Sequence, residues 1–181
     1  MVHLLVALVL VAAADPVVSA VPHVRPVSAG ASVLLTEAVA RSAVVNQLLN
    51  QLAQTDVFVY VELTSAADIR IARTKLVAAP PGARFLRIAL NAHVAPWDRV
   101  AYLAHELQHA VEIATAADIR DDDGVRRLYA RVGFVTGPNQ YETAAARDVE
   151  RRVRVELAHN RRPELHSAAE DPSALVRFTS R

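Results

Sequence analysis

The tripeptide Pro80-Pro81-Gly82 constrains this chain more than any other local feature. Pro81 presets one turn dihedral, and Gly82 accepts the positive φ that a type II turn requires at its next position. The flanking segments Ile69 to Val77 and Arg84 to Asn91 are therefore predicted to fold back on each other as an antiparallel hairpin. Leu86, Ile88 and Leu90 alternate with Arg87 and Asn91, so one face of that strand is covered and the other is partly wet. A further strand is expected at Val57 to Thr64, where Val57, Val59, Val61 and Leu63 oppose Phe58, Tyr60 and Glu62.

Helical periodicity brackets these strands. Leu35, Ala38, Ser42, Val45, Leu49 and Leu52 recur in steps of three and four, predicting one helix from about Ser32 to Gln54. Pro96 opens a second helix, Trp97 to Ala116, at a position where its missing N–H costs little. A shorter helix, Val125 to Val132, stops at Gly133, and Asp121-Asp122-Asp123 puts negative charge at its positive end. Capping explains these acids better than calcium, which needs oxygen ligands spread over about a dozen residues. A last helix is expected from Gln140 to Ala158. The fold class is thus α+β, a small antiparallel or mixed sheet against an N-terminal helix and the Trp97 to Ala116 helix, with a helical part following.

Residues 1–20 carry an unbroken apolar run, Leu4 to Ala14, and then the small residues Ser19 and Ala20, which reads as a signal peptide, cleaved or retained as an anchor. Export, to a secreted or periplasmic location, is the corresponding expectation. Residues 21–31 hold two prolines and a glycine without periodicity and read as a linker, 32–160 as one domain, and 161–181 as a mobile tail. The 20 basic and 19 acidic side chains nearly cancel, leaving no global field to attract nucleic acid or an anionic membrane. With 0 cysteines, disulfides, thiolate metal sites and cysteine nucleophiles are excluded. Any transition-metal site must come from histidine and carboxylate.

The second helix contains His105-Glu106-Leu107-Gln108-His109. Residues four apart on a helix lie one above the other, so His105 and His109 can aim two imidazole nitrogens at one point, where a zinc ion fits. Glu106 lies beside that point, placed to take a proton from a water and pass it to a leaving group. A catalytic zinc needs a third protein ligand. Positions 112 and 115 are Glu112 and Thr115 rather than glycine and histidine, and the remaining histidines, His3, His23, His93, His159 and His166, lie mostly outside the expected core. A carboxylate is the better candidate. Glu142 falls on the apolar stripe of the last helix with Ala145, Ala146, Val149, Val153 and Leu157, beside alanines that permit close approach. Glu150 is displaced by about 80° around that helix, and Glu156 lies about 20 Å along it. The competing role for Glu142 is a capping box with Asn139.

These residues resemble the gluzincin branch of the zincin metallopeptidases, in which a two-histidine helix is followed by a helix supplying a glutamate. The resemblance rests on residues 105–109 and on Glu142-Thr143-Ala144-Ala145-Ala146, and it spans Val57 to Ala158 in order of elements. It implies zinc held by His105, His109 and Glu142, Glu106 as general base, and a peptide or protein substrate hydrolysed by a zinc-activated water. Many gluzincins carry an aspartate, orienting a ligand histidine, where this chain has Ala146. Tyr102, Tyr129, Tyr141 and His93 are the candidates for stabilising an oxyanion, and the strand Arg84 to Asn91 the candidate for pairing with an extended substrate. A zinc-binding or scaffold domain without turnover is the alternative.

Overall fold

The computed structural model describes residues 22–137 and 140–169 of the 181. Residues 1–21, which carry the expected leader, and 170–181 lie outside the described residues. The architecture is mixed α/β, with five helices and a small mixed sheet among the described residues.

The chain enters through β1 (Val24–Pro26), a three-residue edge strand inside the segment expected to be a linker. It pairs in parallel with β2 (Val57–Thr64), Val24 opposite Val59. Helix α1 (Ala29–Arg41) also starts in the linker region and ends at Ser42, where α2 (Ala43–Leu52) begins. The single helix expected from Ser32 to Gln54 is thus broken. Ser42 is extended, with φ −137° and ψ 115°, and its hydroxyl accepts from the Val45 N–H at 3.1 Å and donates to Glu156 at 2.5 Å. A serine hydroxyl that satisfies helix-end groups competes with continued helix, and a pattern of apolar spacing does not register that break.

The hairpin forms where the turn residues place it: β3 (Ala72–Ala78) runs antiparallel to β4 (Arg84–Asn91), Gly82 has φ +81°, and the Ala83 N–H bonds the Pro80 carbonyl at 3.2 Å. Strand β4 also pairs in parallel with β2, giving the order β1-β2-β4-β3. Arg84 to Asn91 is therefore an interior strand, and the edges are β1 and β3. Val57, Val59, Val61, Leu86 and Ile88 face the helices and are fully buried, while Phe58, Tyr60 and Phe85 stack on the opposite face under the guanidinium of Arg25.

Helix α3 (Pro96–Thr115) lies between the sheet and α5 (Ala144–Ala169). Leu103, Leu107 and Ala110 are fully buried, and Val149, Val153 and Leu157 of α5 belong to the same core. Each fully buried leucine or valine contributes about 1.5–3 kcal/mol relative to exposure. The short helix α4 (Asp122–Val132) is capped by Asp121, whose carboxylate accepts from the Gly124 N–H at 2.7 Å. Beyond Gly133 a two-stranded hairpin follows, β5 (Phe134–Gly137) and β6 (Gln140–Glu142). Gln140 to Glu142 is thus strand rather than helix. The α5 cap is Thr143, whose hydroxyl accepts from the Ala146 N–H at 3.0 Å; Asn139, the partner in the competing capping-box role for Glu142, lies outside the described residues. Helix α5 continues to Ala169, through 161–169, where a tail was expected. No helix among the described residues is long and apolar enough to cross a membrane.

Candidate metal centre

Three elements converge on one point. Helix α3 presents His105 and His109, strand β6 presents Glu142, and one ligand atom from each lies within 4.8 Å of the others. The two imidazoles approach edge to face, centroids 4.9 Å apart, and the Nε2 of His105 is 3.4 Å from an Oε of Glu142. Tetrahedral zinc with bonds of about 2.0–2.2 Å sets its ligand atoms roughly 3.4 Å apart, so the donor set suits such an ion with small side-chain adjustment. Glu142 reaches this point from the end of a strand. Its carboxylate is held by the Thr143 N–H at 2.9 Å and lies 3.3 Å from the Arg147 guanidinium.

Both histidines are held from behind. His105 Nδ1 is 3.1 Å from Glu150, and His109 Nδ1 is 2.9 Å from Glu112. A carboxylate on Nδ1 holds the proton there and leaves Nε2 free to coordinate, the arrangement that fixes ring orientation and raises ligand basicity. Glu150 is itself held by Arg154, which also pairs with Asp98 and lies over the ring of Tyr102. Glu112 accepts a second bond at 2.7 Å from the Thr143 hydroxyl. Burial opposes its ionisation, but the hydrogen bonds from His109 and Thr143 prevail and hold the carboxyl below its ordinary range. Burial likewise disfavours a charged His109, and Glu112, Glu106 and Glu142 together overcome it and raise its pKa.

Glu106 is 7% exposed and points toward the sheet edge, where its Oε2 accepts from the Thr74 hydroxyl of β3 at 2.6 Å. The Thr74 hydroxyl also lies 3.1 Å from the Glu106 carbonyl, tying β3 to α3 at the motif. The centre opens into a cleft of about 780 Å³ bounded by β3, with Tyr102, Tyr129 and Tyr141 in its lining. Tyr129 is turned inward: its hydroxyl is 3.5 Å from the His109 carbonyl, its ring stacks on Tyr141, and burial pushes its phenol pKa up. It supports α3, which leaves Tyr102 and Tyr141 as the tyrosines best placed to meet a ligand. His93 does not line the cleft.

Sequence reading brought His105, Glu106, His109 and Glu142 together but missed Glu112, Glu150, Thr74 and Thr143. Glu112 was accessible to it, since a residue three after His109 on the same helix is a neighbour of that ring. Glu150 and Thr74 carry no such local signal, because they reach the site through the packing of α5 and the pairing of β3. Gly133 is also part of the site's construction. A Cβ there would stand 2.5 Å from the Glu142 carbonyl oxygen, so glycine permits β6 to pass this close. Comparison with protein-family models, with curated proteins and with solved structures finds no match to this chain.

Proposed function

We propose that this chain is a zinc-dependent metallohydrolase, a peptidase of gluzincin type with a zincin-like fold. The observation that carries the reading is the convergence of His105, His109 and Glu142, each histidine braced at Nδ1 by a carboxylate, with Glu106 adjacent and not among the ligands. Two histidines and a carboxylate suit zinc by ligand type, and also iron(II) where more positions stay open.

A zinc ion held there would polarise the scissile carbonyl and acidify a water. Glu106 is the proton acceptor, and the hydrogen bond from Thr74 fixes its carboxylate beside the centre. After the carbon–nitrogen bond breaks, the same carboxyl returns the proton to the leaving amine. Tyr102 or Tyr141 donates toward the oxyanion. The edge of β3 borders the cleft, so an extended peptide can add to the sheet there and lie across the centre. The matching partner is a peptide or protein substrate, and the export expected from residues 1–20 would place that substrate outside the cytoplasm.

The test is metal content of wild type, Glu142→Ala and Glu106→Gln by elemental analysis, with cleavage of a denatured protein read in parallel. One zinc per chain is expected in wild type and Glu106→Gln, with cleavage lost in the latter, and no zinc in Glu142→Ala. Wild type without metal overturns the proposal. Full loading without cleavage of any peptide makes the chain a zinc-binding scaffold instead.

A further inference from the structure

Glu112 faces two ways. One carboxylate oxygen is 2.9 Å from His109 Nδ1 and the other accepts from the Thr143 hydroxyl at 2.7 Å. Thr143 is 2% exposed and follows Glu142 directly, and its own N–H donates to the Glu142 carboxylate. A threonine hydroxyl has one proton to give and lone pairs to receive, and here both are used: the proton goes to Glu112 and a lone pair takes the Ala146 N–H at the start of α5. The cap of α5 therefore sets the direction of the hydroxyl, and the hydroxyl sets the rotamer of Glu112.

We propose that Glu112 and Thr143 form a latch between the two halves of the centre, coupling the orientation of His109 on α3 to the placement of Glu142 on β6. Thr143 does not touch the ligand point; it is a positioning residue that acts through Glu112. The latch rests on the metal-centre reading for its purpose. Glu150 serves His105 differently: it and its anchor Arg154 both lie on α5, and Arg154 returns to Asp98 of α3, so that brace joins α3 to α5, whereas the Glu112–Thr143 bond joins α3 to the end of β6. The Glu112 carboxylate, short of free rotation at both oxygens, holds His109 with its proton on Nδ1 and leaves its Nε2 free.

Two readouts on Glu112→Gln, Thr143→Val, Thr143→Ser and the double variant Glu112→Gln/Thr143→Val test this. Nitrogen-15 NMR of metal-free protein is expected to find neutral His109 protonated at Nδ1 in wild type and Thr143→Ser, and a mixture of tautomers in the other variants. Zinc affinity, by competition with a chromophoric chelator, is expected to fall about 10–100-fold in Glu112→Gln, by a comparable factor in Thr143→Val, and no further in the double variant. Wild-type tautomer populations in both Thr143→Val and Glu112→Gln, or losses of affinity that multiply in the double variant, overturn the latch. If wild type binds no zinc, the metal reading fails, and the tautomer populations alone decide whether the latch exists.

Discussion

Replacing Arg84 with methionine should destabilise the chain by about 3–5 kcal/mol, chiefly through the loss of hydrogen bonds from a buried, charged donor. Arg84 is 1% exposed, at the start of β4, and its guanidinium serves two structures at once. It donates to the carbonyls of Ile113, Ala114 and Ala116 at 2.7–2.9 Å, closing the C-terminus of α3, and pairs with Asp56 at 2.5 Å. Helix α3 has no basic residue in its own last turn, so this guanidinium supplies the positive charge its dipole favours there. Hydrogen bonds from a charged donor are worth about 1.5–3 kcal/mol each, and three of them would reach the top of the stated range or pass it if they added. They do not add fully, because water can reach some helix-end carbonyls once the side chain is gone, and Asp56 keeps Arg120 at 3.1 Å. Methionine fills similar volume, which removes cavity formation from the comparison. Urea denaturation followed by circular dichroism reads the effect. With a slope of about 1–3 kcal/mol per molar, the midpoint should fall by at least 1 M, and Arg84→Lys, which keeps charge but loses the planar fork, should fall between the two. A loss below about 1 kcal/mol in Arg84→Met would refute the claim that this side chain anchors the motif helix.

Gly133→Ala places a Cβ against the Glu142 carbonyl, where about 0.7 Å of displacement is needed to relieve the contact, at a cost of about 1–3 kcal/mol. It should weaken zinc binding about tenfold in a chelator competition, whereas Gly82→Ala, strained by φ +81° but with nothing within 4 Å of the new Cβ, should cost about 1 kcal/mol and leave zinc binding unchanged. Equal zinc affinity in both variants would contradict the close-approach argument. The hydrogen bonds from Arg84 hold the Asp56 carboxyl below its ordinary range, with Arg120 adding to them and burial opposing. A carboxyl whose folded pKa is depressed contributes stability above the unfolded value of about 3.9, lost as the pH falls through the folded value. The urea midpoints of wild type and Asp56→Asn should therefore differ at pH 6 and converge as the pH falls toward about 2. A gap that stays constant over that range would show that the ion pair carries no such linkage.

Much of the fold was legible because its signals are local. Pro80-Pro81-Gly82 set the hairpin, Pro96 the start of α3, and Gly133 the end of α4, each through dihedral preference or a hydrogen bond within a few residues, whereas α4 starts at Asp122, before the expected Val125. The motif on α3 was legible for the same reason, since helical spacing alone brings His105 and His109 together. Glu142 was identified as the third candidate ligand while its element was misread, because an apolar stripe running from Glu142 into α5 looks helical although Glu142 is strand and Thr143 the cap. Ser42 was misread similarly: it fits the apolar stripe by position and breaks the helix by its hydroxyl.

What the sequence by itself determined is the set of elements whose instructions are written within one turn of chain, and with them the placement of the motif residues on one helix. Only the tertiary structure decided that β4 is interior and β3 the edge beside the cleft, that Thr74 holds Glu106, and that Glu150 and Glu112 brace the two histidines. The reason is physical. Strand order, and the approach of α5 and β6 to α3, come from burying apolar faces that have no fixed separation in sequence, and a carboxylate reaches an imidazole only once that packing has brought them within hydrogen-bond distance.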